Sequence, residues 1–153
     1  MLQTQQDTSL EILYADDDKD DRIFFKKALD GISIATTLKT FSDGQQLMDY
    51  LYQNTEQLPY ALFLDINMPR KNGCECLMEI KSNEQLKKIP VILCSTSMGD
   101  DYADTLYKNG GHYYLHKCDF AELKKSIFKI LTLLSITHVQ PSRNKFMFSL
   151  WKV

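Results

Sequence analysis

Apolar and polar positions fall into two kinds of block along the chain. Short apolar runs of strand length end abruptly at polar residues, and longer stretches between them carry apolar residues at helical spacing. Leu10 to Ala15 is the first apolar run. Asp20 to Leu29 then places Phe24, Phe25, Ala28 and Leu29 on one helical stripe, and Gly31 stops it. Ile34 to Thr40 is β-branched and reads as a second strand. Ser42-Asp43-Gly44-Gln45 resembles a capping box ahead of a helix carrying Leu47, Met48 and Leu51. Tyr60 to Asp65 is a third strand, and Gly73 to Lys81 a helix expected to turn Cys74, Leu77 and Met78 inward. Ile89 to Cys94 is a fourth strand, with Pro90 near its start, where a strand tolerates proline. A helix over Asp100 to Lys108 is closed by Asn109-Gly110-Gly111, and His112 to His116 is a fifth strand. Asp119 and Glu122 cap a last helix whose stripe is Phe120, Leu123, Ile127, Ile130, Leu131 and Leu134.

Five β–α repeats follow from this pattern. The middle strands are apolar on both faces, which predicts an α/β fold: a doubly wound parallel sheet covered by helices on both sides. Such sheets bind ligands beyond the carboxyl ends of their strands. The chain of 153 residues suits one domain, expected over residues 10–134 after a frayed 1–9. A hydrophobic share of 44% against 25% charged argues against disorder over most of it. A net charge of −2 speaks against a general nucleic-acid binder, and no direct DNA binding is expected. No apolar run reaches the roughly 20 residues of a membrane span. The start MLQTQQDTSL lacks the basic residues and apolar core of a leader, so a cytoplasmic location is expected.

Cys74, Cys76, Cys94 and Cys118 do not have zinc-site spacing and read as small buried thiols in a reducing compartment. His112 and His116 share a strand face, a weak metal-pair alternative. Residues 135–153 form a tail too short for an output domain, so a stand-alone unit acting through a partner is expected. Its Phe146, Met147, Phe148, Leu150 and Trp151 would make an unusual exposed patch, so docking on the domain's own surface or on a second subunit, as a homodimer, is expected.

The chemistry gathers at the strand ends. The first strand ends in Asp16-Asp17-Asp18, the third in Asp65, the fourth in Ser95-Thr96 and the fifth in His116-Lys117. One edge of a parallel sheet thereby collects carboxylates, a hydroxyl and an ammonium. Carboxylates held together raise one another's pKa, and a hard divalent cation removes that repulsion. Mg²⁺ prefers such oxygen ligands, using one or two carboxylates plus phosphate oxygens. No Walker-type loop is present, so nucleotide binding is not indicated. A carboxylate beside a cation, a lysine and a hydroxyl can take a phosphoryl group by nucleophilic attack, and Asp65 is the expected acceptor. The acidic run Asp16 to Asp21 divides in two. Asp16 and Asp17 belong to the cation, whereas Asp20 and Asp21 suit a helix N-terminus, with Asp18 at the boundary.

These motifs resemble the CheY-like receiver domain of two-component response regulators over roughly residues 10–134. The resemblance rests on ILYADDD, FLDINMPRKNG, VILCSTS and GGHYYLHKC. It implies a flavodoxin-like, five-stranded (βα)5 sheet of order 2-1-3-4-5. It also implies phosphorylation of Asp65 by a histidine kinase or phosphotransfer protein. Asp17 is implied to bind Mg²⁺ directly, Asp16 chiefly through water, and Asn67 through its backbone carbonyl. Lys117, Ser95 and Thr96 match phosphoryl-contact positions, and Ser95 and Tyr114 the switch pair, with Tyr114 expected to rotate inward on phosphorylation. SNEQLKKIP is similar to single-domain receivers that pair with phytochrome-type kinases. Two departures stand out. Cys118 replaces the usual proline after the lysine, where a cis bond would cost about 3 kcal/mol. Thr96 replaces a smaller residue and is expected to narrow access.

Two other readings fit parts of the pattern. An aspartyl-nucleophile Mg²⁺ phosphohydrolase would need a second acid two residues after Asp65, where Asn67 stands. A flavin-binding redox domain conflicts with the acidic sheet edge, which would repel the flavin phosphate.

Overall fold

A computed structural model describes residues 8–96, 100–117 and 119–149. Five strands, β1 (Leu10–Ala15), β2 (Thr36–Phe41), β3 (Ala61–Asp65), β4 (Val91–Ser95) and β5 (Tyr113–His116), alternate with helices α1 (Lys19–Asp30), α2 (Gly44–Gln53), α3 (Gly73–Ser82), α4 (Asp100–Lys108) and α5 (Phe120–Ile136). A short helix α6 (Arg143–Phe146) follows. The strands pair in parallel in the order β2-β1-β3-β4-β5, as the resemblance implied.

Strand alternation divides the core in two. Leu13, Leu62, Leu64, Val91 and Leu93 point to the side covered by α2, α3 and α4. Ile12, Tyr14, Phe63, Ile92 and Cys94 point to the side of α1 and α5. Each inner strand is therefore buried on both faces, which accounts for its near-continuous apolar sequence. Helix starts are fixed by short acceptors: Asp18 caps α1, Asp43 α2, Asn72 α3 and Asp119 α5. The cap of α2 is thus Asp43, one residue after the serine that the sequence suggested.

The expected faces need correction in α3 and α5. Met78 is 55% exposed and Cys74 only partly buried, while Gly73, Cys76, Leu77 and Ile80 face inward. The helix is rotated because Gly73 sits against the backbone after β3. A Cβ there would lie 2.4 Å from the Asp65 carbonyl oxygen. Phe120, placed on the α5 stripe by its spacing, is 41% exposed, edge-on to Phe24. Helix α5 runs to Ile136, two residues past the expected boundary.

The tail folds back on the domain. Phe146 is fully buried, its ring stacked on Tyr114 and edge-on to Tyr107. Met147 forms a parallel bridge with Tyr114, and the Phe148 N–H donates to the Tyr114 carbonyl (3.0 Å), so the chain covers the outer edge of β5. Arg143 pairs with Asp104 of α4 at 2.6 Å. Leu150 and Trp151, named with the tail, lie outside the described residues, as does Cys118 with the bond before it.

Candidate functional site

The carboxyl ends of β1, β3, β4 and β5 bring Asp16, Asp65, Ser95 and Lys117 together. Asp16 is completely buried, Asp65 and Ser95 nearly so, and Asp17 is exposed beside them. Carboxylate oxygens of Asp16, Asp17 and Asp65 lie within 4.8 Å of one another, a spacing that one cation can bridge. The donor set is all oxygen, which suits a hard divalent ion.

Lys117 is the cation the chain itself supplies. Its Nζ donates to Asp16 Oδ2 (2.8 Å) and Asp21 Oδ2 (3.0 Å), and stands 3.5 Å from Asp65 Oδ1. Its backbone N–H donates to the Ser95 carbonyl at 2.8 Å, which ties the end of β5 to β4. Burial disfavours its charge, but the hydrogen bonds to Asp16 and Asp21 and the field of both site carboxylates hold its pKa above the lysine range.

The two buried carboxylates are pushed in opposite directions. Burial also works against ionised Asp16. The hydrogen bonds from Lys117, from the Tyr14 hydroxyl (2.6 Å to Oδ2) and from the Asp18 N–H (2.9 Å to Oδ1) prevail and hold it below the usual range. Asp65 is pushed up to about 7, first by burial and then by the neighbouring Asp16 charge; Lys117 and the Asn67 backbone N–H offset only part of this. Two carboxylates with one ammonium leave negative charge in excess, and adding Asp17 increases it. That imbalance is what a divalent cation would relieve.

Asn67 is exposed in the loop after β3. The loop turns back on itself, with the Gly73 N–H donating to the Ile66 carbonyl at 2.9 Å. Thr96 is exposed at the mouth of the site, its carbonyl accepting from His116 Nε2 at 2.9 Å. Tyr114 departs from expectation. It is 1% exposed, hydrogen-bonded to Ser95 and covered by Phe146, so its ring is already inward.

Two groups escaped sequence reasoning. Asp21 caps nothing here, yet it reaches Lys117 from the first turn of α1, about one turn beyond the acidic pair. Tyr14 lies within the first apolar run, yet its hydroxyl touches Asp16. The His112–His116 metal pair does not form: His112 Nε2 donates to the His138 carbonyl and His116 to that of Thr96.

The family model described as the response regulator receiver domain matches residues 12–128. Response regulator Rcp1 of Synechocystis is 34% identical over 124 residues, covering 78% of this chain and 82% of that protein. The Mn²⁺-bound form of Rcp1 superposes with a TM-score of 0.73 at 32% identity, covering 87% of this chain and 99% of that one. The phosphorylated cyanobacterial phytochrome response regulator RcpA gives 0.75 at 30% identity, covering 88% of this chain and all of that one (100%).

Proposed function

From the membership of this chain in the response regulator receiver domain family, we propose that Asp65 accepts a phosphoryl group from a sensor histidine kinase or phosphotransfer protein. The carrying observation is the buried Asp65 carboxylate, clustered with Asp16 and Asp17 and 3.5 Å from the Lys117 ammonium. Similarity to the phytochrome response regulators favours a phytochrome-type kinase as the donor.

Mg²⁺ is the cation that the oxygen set suits, held by Asp16, Asp17, Asp65 and the Asn67 carbonyl. When bound it supplies charge neutralisation for the carboxylates and for the transferring phosphoryl oxygens. A carboxylate oxygen of Asp65 attacks phosphorus while the bond to the donor breaks, and the donor keeps that electron pair. Lys117 shifts from Asp16 towards the new phosphoryl oxygens, 3.5 Å from Asp65 at the outset. The Ser95 hydroxyl, at the end of the adjacent strand, donates to the same group, and Thr96 borders its entrance.

Phosphorylation adds about −1.5 to −2 charge, which draws on both Lys117 and Ser95. Ser95 is hydrogen-bonded to Tyr114, so its movement disturbs the α4–β5–α5 surface, part of which the tail already covers. That surface is the proposed output site, for an unidentified partner protein or a second copy of the chain. No helix among the described residues is long and apolar enough to cross a membrane, and a cytoplasmic site of action accords with the free thiols of Cys74, Cys76 and Cys94.

The chain acts here as a signalling phosphoacceptor, catalysing at most its own phosphorylation and dephosphorylation. The hydrolase alternative lacks an acid/base, because Asn67 has no titratable group. Incubation with a small acyl phosphate and Mg²⁺ should add one phosphoryl mass, and Asp65→Asn should abolish it. Persistence of the gain in Asp65→Asn, or multiple turnover of phosphate monoesters, would overturn this reading.

A further inference from the structure

Tyr14 is a residue for which the receiver chemistry described above has no role. Its position in β1 faces the α1–α5 side of the core, where an aliphatic side chain would suffice for packing. Instead a phenol lies flat on Phe25, with centroids 4.1 Å apart and planes 8° from parallel. Stacking on Phe25 holds the ring, and its hydroxyl reaches Asp16 Oδ2 at 2.6 Å. A phenol carries its proton at neutral pH, and a carboxylate oxygen can only accept, so the hydroxyl is the donor in this contact.

We propose that Tyr14 is a positioning residue for the cation site: its hydroxyl fixes the rotation of the Asp16 carboxylate and keeps it held when Lys117 leaves. The argument is one of lone pairs. A carboxylate oxygen has about two. Among the described residues, Oδ2 of Asp16 accepts from both Tyr14 and Lys117, whereas Oδ1 accepts from the Asp18 N–H. Spare capacity for a cation, or for a water on it, therefore lies at Oδ1. Lys117 is the donor that must move for phosphoryl transfer. Its Nζ already stands 3.5 Å from Asp65 Oδ1, so a short shift takes it off Asp16. After it leaves, Tyr14 is the side chain still holding Oδ2. Partners of this kind behind a metal ligand typically set affinity by about 10- to 100-fold.

The inference rests on the proposed phosphoacceptor function, but its primary readout does not depend on phosphorylation. Tyr14→Phe removes one oxygen and keeps the stack on Phe25. Mg²⁺ binding to the unphosphorylated full chain, measured by calorimetry, should weaken by about tenfold. With acyl phosphate, the half-saturating Mg²⁺ concentration should rise by a similar factor while the rate at saturating Mg²⁺ stays within about twofold of wild type. In an Asp16→Ala background, adding Tyr14→Phe should change Mg²⁺ affinity by less than about twofold, because no acceptor is left for the hydroxyl. A change of under about twofold in the single variant, tighter Mg²⁺ binding, or an equal loss in the Asp16→Ala background overturns the proposal. A wild-type chain that binds Mg²⁺ but takes no phosphoryl group would refute the phosphoacceptor reading and leave the Tyr14 comparison decisive on its own.

Discussion

Replacing Phe146 by alanine tests whether the tail is part of the folded domain. Phe146 is fully buried between Tyr114 and Tyr107, and Gly111 packs closely against its ring. Truncating a core phenylalanine costs about 3–5 kcal/mol when the cavity persists. A tail has another option, because it can leave, and the loss is then capped at the free energy that docks it. Docking is supported by the Tyr107 hydroxyl on the Pro141 carbonyl (2.7 Å), Gln140 Nε2 on the carbonyls of Tyr107 (2.8 Å) and Gly111 (2.7 Å), and the Arg143–Asp104 pair. The exposed ion pair adds little. The lower end of the range, about 3 kcal/mol, is therefore expected. For a chain of this size that corresponds to a fall in Tm of about 6–12 °C. Urea unfolding followed by circular dichroism gives the free energy. Hydrogen exchange at the Phe148 amide, bonded to the Tyr114 carbonyl, reports the docking directly. A loss below about 1 kcal/mol with unchanged exchange at Phe148 would refute the account of a docked tail.

Further expectations concern the acidic site. In chelator, Asp65 ionises in the folded state at about 7, against 3.8 for an ordinary aspartate. The folded protein then binds more protons than the unfolded chain between those values, so this group's contribution to stability is full at low pH and is lost as pH rises towards 7. Asp65→Asn should flatten that part of the Tm–pH curve, and an identical curve in the variant would contradict the assignment. Lys117→Met removes the ammonium shared by Asp16, Asp21 and Asp65. Calorimetry should show Mg²⁺ binding tightened several-fold, by roughly 1 kcal/mol or more, because negative charge is left uncompensated. Phosphorylation at saturating Mg²⁺ should slow at least about 100-fold. Weaker Mg²⁺ binding would show that Lys117 helps hold the cation instead of competing with it.

Much of the site could be read from the chain because it lies where strands end. The apolar runs closing in Asp16, Asp65 and Ser95 locate the strand ends to within a residue, and a parallel sheet sets them on one edge. Helix faces were harder. Along α3, the sets Cys74-Leu77-Met78 and Gly73-Cys76-Leu77-Ile80 both repeat at helical spacing. Only the close approach of Gly73 to the Asp65 backbone decides between them, and that is a tertiary fact. Asp21 and Tyr14 were concealed for related reasons. One joins the site because Lys117 reaches across from β5, and the other because Phe25 of α1 holds its ring flat. Tyr114 lies inward because Phe146, more than thirty residues later, packs over it, which local pattern does not reveal.

The tail on β5 also changes how the sheet meets other chains. An uncovered edge strand is a template for pairing, and here one of the two sheet edges is already taken by residues of the same polypeptide. A tethered occupant competes at an effective concentration of order millimolar, whatever the protein concentration. A partner seeking the β5 edge must therefore outbid that local competitor or wait for a modification that loosens it. The opposite edge, β2, has no such rival among the described residues. Its outer positions include Thr37, Lys39 and Thr40, and a charged lysine there discourages casual strand addition. The two margins of one sheet are thus guarded by different means, a removable intramolecular competitor on one side and a fixed charge on the other.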